Sequence, residues 1–503
     1  MALLLGIDGG TESLRARVFD LMGHCLGNAT APYDIRFAAG ARAEQAPEDW
    51  WRAAGQAVRA AIADAGIGAD RINAMSIDTT CCTVVALDGE GRALRPAILW
   101  MDMRAGVEAA EVLASGDQAL AVNGAGQGPV SAEWMIPKAL WLARHERRVF
   151  ETAATICEYQ DFMTRRLTGR RTASLNNAAV RWHYGAGEAG WPMSLLRALG
   201  IEALAEKWPA EILPPGAVIG TLTREAADHL GLSSSVRVVQ GGADAFIGMI
   251  GLGVARPGQL AMITGSSHLQ FGVSERPSHV SGLWGTYKDA VYPGRYILEG
   301  GQTSTGSVVS WLRRLAGGTL DFAALNEAAA ALPPGAEGLL ALEHFQGNRT
   351  PHTDSLARGA FTGLSLHHGL PHLFRATLEA IGCGPRAIID RMRDAGFGAN
   401  EIVVGGGAAN SPLWLQIHAD TANLPVVVPD VSEAPSLGCA ILAAVGAGHF
   451  TAIDEAIAVM VRPGRRIEPI TANVARYEEI FGRYGALYAA LKPLRAPMED
   501  VPA

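Results

Sequence analysis

The 503-residue sequence predicts an α/β protein of two related domains that face each other across a cleft. Three observations point there. The chain is too long for one core, so two large domains, or about three units of ~150 residues, are expected. Short apolar runs alternate with amphipathic helical patterns throughout, which implies sheets covered by helices. A pattern of strand, small-residue turn and strand at residues 6–20 returns at residues 258–273.

The first element is GIDGGTESLRARVFD, residues 6–20. Leu3 to Ile7 form an apolar run suited to a buried strand, and after the turn Leu14, Ala16 and Val18 alternate with Arg15 and Arg17. Asp8, Gly9, Gly10 and Thr11 are thus expected in the turn, which is longer than a two-residue hairpin needs. Glycines let backbone N–H groups approach a guest closely, and a carboxylate and a hydroxyl flank them. Backbone amides attract anions and a carboxylate attracts a cation, so the guest that suits this turn is a phosphate carrying Mg²⁺. A plain hairpin with a conformationally required glycine pair is the alternative.

A helix is expected from Pro47, with Glu48 and Asp49 at its positive end and apolar positions at Trp51, Ala54, Val58 and Ile62. INAMSIDTT reads as the next strand. VRVVQGG leads from a strand into a helix in ADAFIGMIGLG, whose first turn carries Asp244. The helix dipole stabilises a carboxylate there, so Asp244 is either a structural N-terminal acid or a general base for a hydroxyl that attacks a γ-phosphate. Its place at a strand's carboxyl end is where ligand crevices form in α/β sheets.

GLGVARPG, residues 251–258, punctuates the chain and marks the boundary between a domain of residues 1–252 and one of residues 253–450, with a helical extension and tail over 451–503. GQLAMITGSSHLQFGV then repeats the opening pattern, with Thr264, Gly265, Ser266 and Ser267 in its turn. EIVVGGG leads from a strand into a helix in PLWLQIHADTAN; Gly405, Gly406 and Gly407 permit close packing of a flat ring or sugar, which Asn410 could hydrogen-bond. ALPPGAEG and VRPGRRIEP read as surface loops, and LRAPMEDVPA as a fraying tail.

Composition narrows the function. With 42 basic and 50 acidic residues the net charge is −8, and no long basic run offsets it, which argues against nucleic-acid or anionic-membrane partners. A hydrophobic content of 49% with 18% charged residues describes a globular chain. The six cysteines are scattered, and the adjacent Cys81 and Cys82 suit neither a disulfide framework nor a zinc spacing, so a reducing cytoplasm is the expected location. No leader and no run of about 18 apolar residues is found, so secretion and membrane spanning are not expected. The histidines of PHTD and LHHG lack metal-ligand spacing and read as ordinary polar or loop residues. The glycine turn of EIVVGGG lacks the G-x-G-x-x-G spacing of a dinucleotide site and no P-loop occurs, so a nucleotide would need another architecture.

GAFTGLSLHHGLPHLFRATLEA, residues 359–380, resembles the C-terminal signature of the FGGY family of carbohydrate kinases, within the superfamily of actin, sugar kinases and chaperone ATPases. The matching positions are Gly359, Phe361, Gly363 and Leu364, then His372, Leu373, Ala376 and Glu379. EWMIPKALWL, residues 133–142, resembles the family's other signature; it keeps Lys138 and Trp141 but has Ala139 where a larger apolar residue is usual. The resemblance covers residues 1 to about 490 and implies two actin-like (ribonuclease H-like) domains with a ligand cleft between them. Sugar would lie on the N-terminal domain and ATP on the C-terminal one.

By this resemblance Asp8 helps organise Mg²⁺, while Gly10, Thr11, Ser13 and Arg15 face the nucleotide phosphates. Thr264 and Gly265 match the second phosphate loop, Gly306 a nucleotide-contacting glycine, and Gly406 with Asn410 the adenosine pocket. Asp244 falls on the catalytic base. The Gln-Arg-Glu triplet of glycerol kinases and the Gln-Met-His set of xylulose kinases are absent, whereas DTTCCT followed by EWMIPK resembles the ribulose kinase branch. That likeness puts Cys81, Cys82, Glu133, Trp134, Met135 and Arg181 around the sugar, with Asp102 and Arg104 as further candidates. The alternative for the two cysteines is a pair of small core residues.

The expected activity is ATP- and Mg²⁺-dependent phosphorylation of a terminal hydroxyl of a pentulose, ribulose first, by direct in-line transfer. The alternatives are a kinase for another ketose or polyol (xylulose, ribitol, erythritol or glycerol), an actin- or chaperone-like ATPase, and a sugar-sensing pseudokinase. The expected partners are a small sugar and ATP, and homodimers are frequent in the family.

Overall fold

A computed structural model of the chain describes residues 2–187, 189–317, 321–431 and 433–494. Two large sheets organise it. The first has six strands in the order Val218–Thr221, Arg237–Val239, Ile72–Thr79, Leu3–Gly9, Ser13–Phe19, Cys25–Pro32. The second has seven, in the order Trp284–Lys288, Tyr296–Gln302, His268–Ser274, Gln259–Thr264, Glu401–Gly406, Val426–Val428, Arg465–Ile467. Each contains the same motif: an antiparallel hairpin whose first strand runs parallel to a later one. Leu3–Gly9 pairs with Ser13–Phe19 and Ile72–Thr79, as Gln259–Thr264 pairs with His268–Ser274 and Glu401–Gly406. The internal echo seen in the sequence is thus a repeated supersecondary unit, and the fold is the mixed α/β, two-domain, actin-like one.

Patterning explains the elements. Every residue of Leu3–Gly9 is buried, as a continuous apolar run between covered faces requires, whereas Ser13–Phe19 alternates. Leu14, Ala16 and Val18 turn inward toward helix Pro47–Asp64, which buries Trp50, Trp51, Ala54 and Val58. Trp50 stacks on Tyr159 with ring centroids 3.8 Å apart.

Two expectations are corrected. Asp8 and Gly9 lie in the strand and not in the turn, because ladder pairing on both sides continues to Gly9, with Asp8 opposite Arg15 and Asp78. VRPGRRIEP is not wholly a loop, since Arg465–Ile467 pairs antiparallel with Val426–Val428 and satisfies the backbone of what would otherwise be a bare sheet edge. Residues 451–494 carry helices Ile453–Met460 and Thr471–Leu491 and pack onto the rest: the second helix buries Tyr477, Ile480, Tyr484 and Tyr488, and Asp454 pairs with Arg295 at 2.5 Å. Residues 495–503, most of the expected tail, lie outside the described residues. Among those described, no helix is long and apolar enough to cross a membrane.

The FGGY-like signature turns out to be architectural. Glu379, buried on helix Leu370–Asp394, pairs with Arg375 at 2.9 Å and accepts the Gly335 N–H at 2.9 Å and the Tyr477 hydroxyl at 3.1 Å. One carboxylate thereby ties the ALPPGAEG loop and the last helix to the long one.

The domains meet where helices Asp244–Gly251 and Ala434–Gly446 cross. Glycine lets helix Ala434–Gly446 approach both that helix and strand Leu3–Gly9: a Cβ on Gly6 of the strand would meet the Ser436 carbonyl oxygen at 2.0 Å, and one on Gly251 of the helix would meet that of Ala434 at 1.9 Å. Gly6→Ala is therefore expected to lower unfolding free energy by about 1–3 kcal/mol in denaturant titrations, the range for inserting a methyl where there is no room. Wild-type stability in that variant would show the contact to be loose.

Candidate active site

Three adjacent parallel strands, Leu3–Gly9, Ile72–Thr79 and Arg237–Val239, end at one edge of the first sheet. Asp8 and Asp78 are register partners there. The Thr79 N–H donates to the Gly242 carbonyl at 3.1 Å, which holds the turn leading to Asp244, first residue of its helix, beside them. Asp8 and Asp78 are buried and Asp244 half-buried. Arg15 donates to Asp8 Oδ2 at 2.8 Å. The Cys439 thiol, from the other domain, donates to Asp78 Oδ2 at 3.1 Å, while Asp78 Oδ1 has no partner.

Burial, reinforced by the charges of Asp8 and Asp244, pushes the Asp78 carboxyl well above the usual carboxylate range. Asp244 is pushed up to about 7, first by burial and then by Asp8. Near neutral pH the three acids thus carry fewer than three charges and attract positive charge. Their hard oxygens, one of them orphaned, fit a cation such as Mg²⁺. Asp78 was not anticipated, although an acid inside an otherwise uncharged strand was a signal that INAMSIDTT did offer.

The opening turn is braced. Gly10 N–H donates to Ser13 O at 3.0 Å, Tyr33 Oη to Gly10 O at 2.5 Å, Trp100 Nε1 to Thr11 Oγ1 at 3.1 Å and Gln45 Nε2 to Thr11 O at 2.8 Å. Thr11, Ser13 and Arg15 remain partly exposed. In the second domain Thr264, Gly265, Gly306 and Gly406 form one backbone knot. Thr264 Oγ1 donates to Gly405 O at 2.7 Å and accepts the Ala408 N–H at 3.0 Å, and Gly306 N–H donates to Gly265 O at 3.2 Å. A Cβ would meet Gly265 O at 2.4 Å from Gly306, and Thr264 O at 2.0 Å from Gly406, whose φ is +92°. Asn410 is exposed at the end of the 3₁₀ turn Gly407–Asn410.

Cys81 is half-buried, and Cys82 is buried with φ +67°. Cys82 N–H donates to Glu158 Oε2 at 2.8 Å, and the buried Lys138 ammonium donates to the carbonyls of Cys82 at 2.7 Å and Leu99 at 2.6 Å. Glu133 is half-buried, and Trp134 and Met135 are buried at the start of helix Met135–His145. Trp134 meets Trp284 of the second domain edge-on at 5.5 Å. Arg181 lies over both rings and donates to both oxygens of Glu299, also of the second domain, at 2.8 and 3.0 Å. Against the effect of burial, Arg181 and Arg349 hold the Glu299 carboxyl below its usual range. Arg181 is therefore charge-matched across the domain junction by a partner that sequence reasoning missed.

Asp102 and Arg104 are committed elsewhere. They pair with each other at 2.7 Å, Arg104 also grips Glu44, and Asp102 accepts the Ala43 N–H, so both brace strand Arg42–Gln45. His367 and His372 converge on Glu337, but His372 Nδ1 accepts the Gly369 N–H, which leaves Nε2 to carry the ring proton and donate. A cavity of about 720 Å³, lined by Tyr184, Trp191, Tyr287 and Lys288 among others, lies between the domains, and no site residue expected from sequence lines it.

The sequence matches the FGGY family of carbohydrate kinases in two blocks, the N-terminal domain over residues 3–251 and the C-terminal domain over residues 260–447. An FGGY carbohydrate kinase domain-containing protein from Homo sapiens is 31% identical, with 99% of this chain and 98% of that protein covered. A ribulokinase from Halalkalibacterium halodurans is 30% identical, with 96% and 94% covered. The crystal structure of a xylulose kinase from Rhodospirillum rubrum superposes with a TM-score of 0.88 at 30% identity, covering 98% of this chain and 99% of that one.

The pH dependence of stability tests the acid cluster. An acid whose pKa is raised on folding keeps its proton in the native state after the unfolded chain has lost it, so Asp244 lowers stability progressively from about pH 4 to about pH 7. Asp244→Asn is expected to match the wild type at pH 4. At pH 8 it should be the more stable, by on the order of 1–2 kcal/mol once solvent screening of a half-buried group is allowed for. A difference that stays constant over that range would contradict a raised Asp244.

Proposed function

The chain belongs to the FGGY family of carbohydrate kinases, and on that premise we propose that it transfers the γ-phosphoryl group of ATP to a terminal hydroxyl of a pentulose, with ribulose as the substrate. The observation that carries this reading is the placement of Asp244. It is a half-buried carboxyl pushed up to about 7, at a strand's carboxyl end, next to a cluster that attracts positive charge. A base with a pKa near the working pH is matched to taking a proton from an alcohol.

In the proposed reaction Asp244 accepts the proton as the hydroxyl oxygen attacks the γ-phosphorus. The bond from that phosphorus to the β,γ-bridging oxygen breaks in line, and ADP leaves. Thr11, Ser13 and Arg15 face the phosphates from the first domain, and the knot of Thr264, Gly265 and Gly306 faces them from the second. Gly406 and Asn410 border the adenosine. Mg²⁺, when bound, neutralises phosphate charge, and Asp8 is the residue that would hold it. Cys81, Cys82, Glu133, Trp134, Met135 and Arg181 surround the sugar, and closure of the two domains excludes water. The ribulokinase likeness supports the choice of ribulose. Xylulose is the second reading, favoured by the overall similarity to the Rhodospirillum rubrum enzyme.

The deciding experiment is ADP release with Mg²⁺ and ATP against D- and L-ribulose, D- and L-xylulose, ribitol, erythritol and glycerol. Preference for one ribulose is expected, a xylulose optimum selects the second reading, and no turnover above the sugar-free background overturns both. Asp244→Ala should lower kcat by roughly 10²- to 10⁴-fold while ATP still binds. Undiminished turnover in that variant removes Asp244 from the base role.

A further inference from the structure

In extended chain, successive side chains point to opposite faces, so adjacent cysteines do not ordinarily share a ligand. Cys82 departs from this. Its left-handed backbone, φ +67°, is uncommon for a residue with a side chain. It bends the segment after strand Ile72–Thr79 so that the sulfurs of Cys81 and Cys82 and a carboxylate oxygen of Glu158 all lie within 4.8 Å of one another. Surrounding groups enforce the bend, since Glu158 holds the N–H of Cys82 and Lys138 its carbonyl.

The chemistry of this corner is rich in electron-pair donors. Glu158 accepts from Cys82 and from Asn177 Nδ2 on Oε2, both at 2.8 Å, and from Trp182 Nε1 on Oε1 at 2.6 Å. A carboxylate has about four such positions, so one on Oε1 is open. Asn177 is fully buried, and with its nitrogen fixed on Glu158 its Oδ1 has no partner. The nearby cations are engaged, Lys138 by two carbonyls and Arg181 by Glu299.

We propose that Cys81, Cys82 and Glu158 form a binding site for a thiophilic divalent cation such as zinc or cadmium. Each thiol releases its proton to solvent as its sulfur takes up the ion, and two sulfurs with one oxygen leave the fourth position of a tetrahedral shell open to water. Sequence spacing hides the site, because its third ligand arrives from 76 positions away and not from a Cys-x-x-Cys repeat. A disulfide between the two cysteines is the less favoured use of the pair. Neighbouring Cα atoms are about 3.8 Å apart, shorter than the 4.4 Å or so at which unstrained disulfides begin. That the ion would also displace sugar rests on the proposed function.

The test is titration of chelator-treated full-length protein with cadmium, read by the ultraviolet sulfur-to-cadmium charge-transfer band and by the number of thiols protected from an alkylating reagent. Saturation near one equivalent with two thiols protected is expected. Cys81→Ser and Cys82→Ser should each weaken binding by more than about 100-fold, the upper end of what losing an outer-shell partner costs. Cys25→Ser, which removes the exposed cysteine, should leave the band intact. Absence of the band in the wild type overturns the proposal, as does its survival in both serine variants. So does loss of the two thiols to peroxide with no response to cadmium, the signature of a disulfide pair. Cadmium binding that leaves ribulose turnover untouched would keep this site and reject the sugar-pocket assignment.

Discussion

Helix Ala434–Gly446 of the second domain lies against strand Leu3–Gly9 of the first with no room for a side chain at Gly6, and the placement of the acidic cluster follows from that contact. The same helix carries Cys439, whose thiol reaches Asp78 and the Ile7 carbonyl. The domain junction and the chemical centre are thus one piece of structure. A shift of the helix displaces a hydrogen-bond partner of an acid that sits between Asp8 and Asp244.

A second link is electrostatic. Arg181 and Glu299 come from different domains, and each is buried with the other as its main charge partner, framed by Trp134 and Trp284. Removing water from two charges is costly, so such pairs add little net stability. Losing one partner, however, costs roughly 3–5 kcal/mol because the other is stranded. The pair fixes which residues of the two domains face each other, and it stands beside the cysteine turn and Trp134 at the wall assigned to the sugar.

Much of the fold was legible because it rests on local pattern. Alternation in SLRARVF, the small-residue turns and the repeated hairpin all survive in the structure. Arg465–Ile467 was not legible, since two arginines beside a proline-glycine pair look like a loop until an edge strand needs a partner. The glycines at 265, 306 and 406 were seen singly, but their convergence on one knot joins segments 40 and 141 residues apart. Glu158 and Glu299 escaped notice for the same reason: each acts through side chains that only tertiary packing brings within reach. The 359–380 signature was the most legible stretch, and its Glu379 holds helices together and does no visible chemistry.

The glycine contact at the junction also restricts how the domains can move. Side chains in an ordinary interface can change rotamer and let two elements slip past one another, but backbone meeting backbone has no such freedom. At Gly6 in its strand and Gly251 in its helix, backbone therefore meets helix Ala434–Gly446 directly. Such contacts resist sliding more than rotation, so a cleft that narrows as proposed would do so by rocking about them.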